Sequence, residues 1–487
     1  MKHFYKIPVL AVLFSGSLIS CGDDLLSGNG IEKITELGQA TKPSVVLTRD
    51  EEILLTELSN QTPKISMEQA VEIADNFFNR NTLSKRTMTM PQCEVLTRTK
   101  QKLSKSDDGS ENIDTMLYIL NYDDGFAVVS ADVRVPEQIL AYSDEGSIHL
   151  DSENPGINLF MDMAQDYIDL NILMADAVRD SLEKSLNEKL LTAVGIPLHT
   201  LSKYKRMTSK KLVYEYNKST YISTDAIVGP YTKTYWHQRS PYNNSVPTKD
   251  GKDCPAGCVA LAVSQLMAYW QWPMKDIYGV RLEWSTILDN NENNTYRNYH
   301  VSRFIYNTGR TINTIYDIDG SDAYTEDALK LLKKYGYTTG NIQNYSFSKV
   351  QVSLDNKYPV IIDGDSKTEV EGKTSGHCWL IDGYAKTTWN CDSKKSYVVM
   401  YIDDVTGEVS GELQENVSST TDYYYYQHFN WGGGESNSSN GYYLSKVFDN
   451  NWEYKMYLDK QPELLPAQYV PSRDYKYNVR IITDIKH

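Results

Sequence analysis

Cys258 opens a nearly uncharged apolar run, Cys258-Val259-Ala260-Leu261-Ala262-Val263, with Gly257 before it and Cys254 a turn earlier. A thiol is a poor nucleophile and a thiolate a good one; a helix N-terminus and a neighbouring imidazolium both favour the thiolate. The run predicts a helix over Val259–Gln271, stopped by Pro273, with Cys258 at its positive end. Val259, Ala262, Val263, Leu266, Tyr269 and Trp270 would form its buried stripe. Gly257 gives the backbone close access there. Taken alone, Cys258 has four open roles: nucleophile, half of a disulfide, metal ligand or core. Cys254 and Cys258 have no second pair at comparable spacing, which argues against structural zinc.

A nucleophilic cysteine needs a base. Of the eight histidines, His377 is best placed, in Gly376-His377-Cys378-Trp379-Leu380-Ile381-Asp382-Gly383-Tyr384. Gly376 gives access and the apolar strand after it gives rigidity. A third group must orient the imidazole. Asn430, ending a strand in Asn430-Trp431-Gly432-Gly433-Gly434, is placed to accept from the ring N–H, with Trp431 shielding that bond or forming a cleft wall. Upstream, the Gln238 amide can join the Cys258 backbone N–H in an oxyanion hole. The structural alternatives stand beside these roles: a dead fold keeping Cys258 and His377, a turn amide at Gln238, a strand-end residue at Asn430, core at Trp431. Asp382 reads as a loop tie and His428 as structural.

The elements that must position these groups fall into a helix-rich and then a strand-rich half, an α+β pattern. The chain has 487 residues, enough for two or three domains. Its net charge of −15 and pI of about 5.1 argue against nucleic acid and against electrostatic adhesion to anionic lipid. A mean hydropathy of −0.49 fits soluble globular material, and 37 tyrosines suit half-buried β surfaces. Residues 1–20 read as an export signal: Lys2 and Lys6, then an apolar Ile7–Ile19 too short to span a membrane. Leu18-Ile19-Ser20-Cys21 resembles a bacterial lipoprotein signal with Cys21 lipidated, and Gly22-Asp23-Asp24 resembles a surface-export signal; an ordinary signal peptide is the alternative. This places the protein at the outer membrane or cell surface, anchored by lipid only, or released after processing. Without Cys21 an odd number of cysteines remains, which flags a free thiol in an oxidising compartment.

Residues 21–60 read as a polar tether. Residues 61–200 read as a small α+β domain: an S-x-x-Q capping box at Ser66–Gln69, a helical face of Ala70, Val71, Ala74, Phe77 and Phe78, a hairpin of Met116–Tyr122 and Phe126–Ser130, and a helix over Ile157–Ala193. Residues 201–224, with Lys203, Lys205, Arg206, Lys210 and Lys211, read as a linker open to proteolysis. Residues 225–487 carry the cysteine and histidine motifs, a second helix at Thr325–Lys334, and strands at Pro359–Ile362, His377–Ile381, Ser396–Ile402, Tyr423–Asn430 and Gly441–Leu444. Asp403–Asp422 reads as an inserted loop or hairpin.

Gly257-Cys258-Val259-Ala260, Tyr269-x-x-x-Pro273, Gly376-His377-x-Trp379-x-Ile381-Asp382-Gly383-Tyr384 and Asn430-Trp431-Gly432, in this order, resemble the streptopain family of papain-like cysteine peptidases. Gly125–Ile148 resembles that family's propeptide, so the likeness covers most of the chain from about residue 60. The resemblance implies a papain-like catalytic domain behind an inhibitory pro-domain. It implies a secreted zymogen, maturation by proteolysis, and an endopeptidase acting on proteins or peptides with a liking for apolar side chains near the scissile bond. The pair would be a Cys258 thiolate and a His377 imidazolium, kept active by a reducing environment, with no metal or organic cofactor. The family reads Asn-Trp-Gly-Trp-Gly; here Gly433 replaces the second Trp and opens that wall. Cys378 beside His377 and Cys254 near Cys258 are further departures, and a Cys254 disulfide to Cys378 or Cys391 is conceivable. Two other readings stay open: an inactive papain-like binding or adhesion lipoprotein, and a transglutaminase-like acyl transferase, told apart by amine transfer outpacing hydrolysis.

Overall fold

Ser66 and Gln69 cap each other at the start of the Met67–Arg80 helix. The Ser66 N–H donates to Gln69 Oε1 at 2.8 Å and the Gln69 N–H to Ser66 Oγ at 3.3 Å. The computed structural model describes residues 47–60, 62–80, 90–98, 114–193, 210–217, 220–365, 376–391, 395–403, 412–415, 422–434, 438–449 and 477–487. The export signal and Cys21 lie outside them. Ala70, Ala74, Phe77 and Phe78 are buried as their spacing predicts, and Phe77 meets the Tyr142 ring edge-on at 4.7 Å. The hairpin pairs Asp114–Asn121 with Phe126–Ser130 around Gly125, whose φ of 92° an L side chain resists. Gln92–Arg98 and Ile139–Ser143 flank it, and the Pro155–Ala193 helix buries Ile157, Phe160, Ala164 and Tyr167.

Two stretches read as connectors are structured. The tether ends in a helix, Arg49–Asn60, which buries Leu54 and Leu55. Its polar composition misleads because its carboxylates meet the long helix rather than water: Glu51 pairs with Lys189 at 2.6 Å and Glu57 with Arg179 at 2.6 Å. The basic linker contains strands Lys210–Asn217 and Thr220–Val228. The first pairs with Lys395–Asp403 and the second with Gly376–Cys391. Alternation at Leu212, Tyr214 and Tyr216 carried the strand signal, which the lysines obscured.

The Cys258–Trp270 helix stops one residue before the expected end, with Gln271 left-handed at φ 50°. The helix at Thr325–Lys334 and the strand at Gly441–Leu444 fall where expected. The Thr295–Thr311 helix was not anticipated in its Asn-rich stretch. Asn294 caps it by accepting from the Arg297 N–H at 3.2 Å, and Val301, Phe304 and Ile305 bury its inner face. Within Asp403–Asp422, Glu412–Glu415 pairs with Lys395–Asp403 as a strand; 404–411 and 416–421 lie outside the described residues.

Among the described residues, one sheet carries eleven strands. It runs from Gln92–Arg98 through Asp114–Asn121, Phe126–Ser130 and Ile139–Ser143 into Gly441–Leu444, Asp422–Asn430, Gly376–Cys391, Val360–Asp365, Arg480–Ile482 and Gln343–Asn344. The two halves meet at Tyr142↔Tyr442 and Ala141↔Tyr443. Along Gly376–Cys391 side chains alternate between faces. Trp379 and Ile381 join the core shared with Ile157, Phe160 and Tyr167; Cys378 and Leu380 join the core containing Val263, Leu266 and Phe304.

Candidate active site

Cys258 is the first residue of its helix, behind Gly257 at φ 90° and ψ 128°. A side chain on Gly257 would be strained, and its Cβ would lie 3.3 Å from both the Ser321 carbonyl oxygen and Thr314 Cγ2. Desolvation pushes the Cys258 thiol up to about 11, against the opposing pull of the nearby backbone at Cys378, Val259 and Cys258. Cys254 and Cys378 are buried free thiols and Cys93 is free as well, so Cys254 and Cys378 are not joined.

His377 is only 4 % exposed. Its Nε2 lies 3.0 Å from the Trp431 carbonyl oxygen. A carbonyl only accepts, so Nε2 carries the proton and Nδ1 presents the lone pair. Nδ1 is buried with no hydrogen-bond partner among the described residues. Burial pulls the imidazole down to about 4, against the opposing pull of the Trp431 carbonyl. A half-buried thiol and a buried neutral imidazole are the uncharged forms of the two groups.

The cover over His377 is the first turn of the Pro155–Ala193 helix. A Cβ on Gly156 would stand 2.5 Å from both His377 Cδ2 and Trp431 Cε3, so only glycine permits this contact. Asn154 Oδ1 accepts from the Gly156 N–H at 2.9 Å and sets the turn. Sequence reasoning passed over Gly156; Asn154-Pro155-Gly156 at a helix start was the available signal. Trp431 is buried, with Trp379, Phe429 and Tyr443 at ring-centroid distances of 4.6, 4.9 and 5.2 Å.

Asn430 sits one residue before Trp431, but its amide is engaged elsewhere. Nδ2 donates to Thr232 Oγ1 at 3.2 Å and to the Thr234 carbonyl at 2.9 Å, and Oδ1 accepts from the Gly432 N–H at 3.2 Å. Asp382 is buried and ties the same segment: Oδ2 accepts from the Thr232 N–H at 3.0 Å and from its hydroxyl, while Oδ1 meets His428 Nδ1 at 2.6 Å. Thr232 and Thr234, which sequence reasoning did not single out, thus hold Asn430. Gln238 is tied to the segment before Cys258 through its backbone: its carbonyl accepts from the Ala256 N–H at 2.9 Å. The adjacent His237 bridges to Gly433, so Gly433 lies beside Gln238. Gly376 pairs with Asp365 at the start of the histidine strand.

The sequence pattern of the Peptidase C10 family matches residues 236–443, a span containing Cys258, His377, Asn430 and Gln238. Over that span the chain resembles the Peptidase C10 (streptopain) family. It is a cysteine endopeptidase, and the matched region mixes helices and strands in an α+β fold. The Spi protease inhibitor pattern matches residues 62–168, which end inside the helix that covers His377. The chain is similar to streptopain from Streptococcus pyogenes, 24% identical over 335 residues, spanning 58% of this chain and 71% of that protein. Among solved structures it resembles prointerpain A of Prevotella intermedia at 17% identity and a TM-score of 0.44, covering 80% of this chain and 98% of the other. Active interpain A matches at 22% identity and a TM-score of 0.31, over 45% of this chain and 87% of its own.

Proposed function

We propose that this cysteine endopeptidase is exported, lipid-anchored through Cys21, and made as a zymogen in which Cys258 and His377 are kept neutral and apart until the inhibitory segment leaves. The observation that carries the reading is Gly156 against His377 and Trp431, with His377 Nε2 on the Trp431 carbonyl. Removing the helix returns water to His377. Its pKa then rises, the Cys258 thiol falls, and a proton passes from sulfur to imidazole. The helix N-terminus at Cys258 and the nearby backbone of Cys378 and Val259 favour that charge separation.

In the released state Cys258 Sγ attacks the peptide carbonyl. Gln238 and the Cys258 N–H hold the oxyanion, and His377 protonates the leaving amine. His377 then takes a proton from water, which releases the acyl group. Asn430, anchored by Thr232 and Thr234, orients the ring once it turns away from Trp431. Trp431, Gly376 and Gly257 line the cleft. The domain order is signal 1–20, tether from 21, inhibitory region 61–200, connection 201–224 and catalytic region 225–487. Within this order, cleavage between Ala193 and Lys210 avoids breaking the strand ladders that begin at Lys210.

Wild type and Cys258→Ala, both without residues 1–21, are incubated with reductant and followed by gel and by casein hydrolysis. A second arm adds trace protease. Wild type should shed an N-terminal fragment and then cleave casein, while Cys258→Ala does neither alone and stays inert after trans-cleavage. An inert processed wild type whose Cys258 also resists an electrophilic cysteine probe would overturn the reading.

A further inference from the structure

The strand that carries His377 is interrupted by a bulge. Ile381 pairs with Phe429 and Gly383 with the adjacent His428, so Asp382 is the extra residue between them. A bulge re-aims a side chain and breaks the local pairing. Here the Asp382 carbonyl accepts from the Tyr231 N–H at 2.9 Å, and its fully buried carboxylate turns to Thr232 and His428.

A buried carboxylate needs donors, and Asp382 has three. Oδ2 takes the Thr232 N–H at 3.0 Å and the Thr232 hydroxyl proton, and Oδ1 takes the His428 Nδ1 proton at 2.6 Å. A hydroxyl has one proton, and Asp382 uses it. Towards Asn430 the Thr232 oxygen therefore only accepts. The Thr234 carbonyl also only accepts, and the Gly432 N–H only donates. These three groups admit one orientation of the Asn430 amide: Nδ2 on Thr232 and Thr234 at 3.2 and 2.9 Å, Oδ1 on Gly432 at 3.2 Å. Both Nδ2 protons are then used, while Oδ1 keeps a lone pair. Without Asp382 the Thr232 hydroxyl is free to rotate and donate, so it no longer selects between the two orientations. An amide turned over would aim its own N–H at an imidazole N–H that needs an acceptor.

Resting on the peptidase reading above, we infer that Asp382 is a positioning residue for the hydrolysis. Through the Thr232 hydroxyl it fixes which end of the Asn430 amide faces the reacting groups, and so presents Oδ1 to the His377 ring N–H in the released enzyme. The effect belongs to kcat rather than KM. Asp382 is buried out of reach of substrate, whereas the imidazole must hold its orientation while it gives and takes a proton.

The test uses chains without residues 1–21, processed with trace protease: wild type, Asp382→Ala, Thr232→Val, Thr232→Ser, Asn430→Ala and the Asp382→Ala/Asn430→Ala double variant. A short fluorogenic peptide gives kcat and KM, with active enzyme counted by an electrophilic probe on Cys258, so that a smaller folded fraction does not register. Asp382→Ala and Thr232→Val should each lower kcat by on the order of fivefold at nearly constant KM, the worth of one hydrogen bond. Thr232→Ser keeps the hydroxyl and should stay within about twofold of wild type. Valine matches threonine in volume and serine does not, so a packing role would give the opposite order. In the Asn430→Ala background, Asp382→Ala should change kcat by less than about twofold, because the group it acts through is gone. Where Asp382→Ala does not fold, the two Thr232 variants decide. Full kcat in Thr232→Val, or an equal loss from Asp382→Ala with and without Asn430, overturns the positioning role while wild-type casein hydrolysis leaves the peptidase reading standing. An inert wild type whose Cys258 resists the probe overturns both.

Discussion

His377 is where latency becomes a measurable charge. The covered imidazole is held down at about 4 by burial. An uncovered histidine titrates near 6.5. The uncovered state thus takes its proton first as pH falls. Docking of the inhibitory helix is at full strength above about pH 6.5 and weakens towards pH 4, by up to about tenfold in affinity per pH unit. A Cys258→Ala chain nicked between Ala193 and Lys210 should release its N-terminal fragment more readily at pH 5 than at pH 7. His377→Leu should flatten that dependence. Gel filtration across the pH series checks this, and equal slopes for the two proteins would show that another group controls release. Cys258, pushed up to about 11 by desolvation, should alkylate slowly at neutral pH in the uncut chain.

Elements place these residues, and one helix end covers His377. The Pro155–Ala193 helix could tolerate alanine or leucine at position 156 as a helix, since glycine is the poorer helix former. What forbids a side chain there is the 2.5 Å approach to His377 and Trp431. Gly156→Leu should therefore leave the helix content intact but cost about 1–3 kcal/mol of docking through overpacking. The expected outcome is an uncut chain that hydrolyses casein measurably, unlike uncut wild type, at unchanged circular dichroism. If uncut Gly156→Leu remains as silent as wild type, the first helical turn is not what withholds the histidine. On the catalytic side, the strand Gly376–Cys391 serves two cores at once. Its alternation sends Trp379 under the inhibitory helix and Cys378 towards the nucleophile.

At the scale of the molecule, the inhibitory and catalytic regions are one sheet and share one core. Phe77, Phe126, Tyr142 and Phe160 are buried together with Trp379, Phe429, Tyr443 and Phe448. Across the same junction Lys446 meets the buried Glu137 at 2.6 Å, and the Tyr426 hydroxyl donates to the Ile139 carbonyl at 2.9 Å. Breaking one peptide bond removes none of these contacts. At pH 7 a Cys258→Ala chain cut once between Ala193 and Lys210 should run on gel filtration as a single species containing both fragments. Separation of the fragments at micromolar concentration would contradict this. Activation then needs further cutting of the inhibitory region or a fall in pH, and a single nick is not enough.

The sequence by itself picked out the candidate residues and most of the local elements. Cys258 after a glycine at a helix start, His377 leading an apolar strand, the Ser66–Gln69 capping box and the Gly125 turn are short-range patterns whose physics acts within a few residues. Tertiary structure decided what those groups do at rest. Burial by a helix starting at Pro155 makes His377 neutral, and no spacing in the chain announces that Gly156 meets residues 377 and 431. It also turned polar connectors into structure, because charges that read as solvated in Arg49–Asn60 pair with Arg179 and Lys189. Desolvation and pairing between distant segments are properties of the assembled fold, so they enter only when the chain has closed on itself.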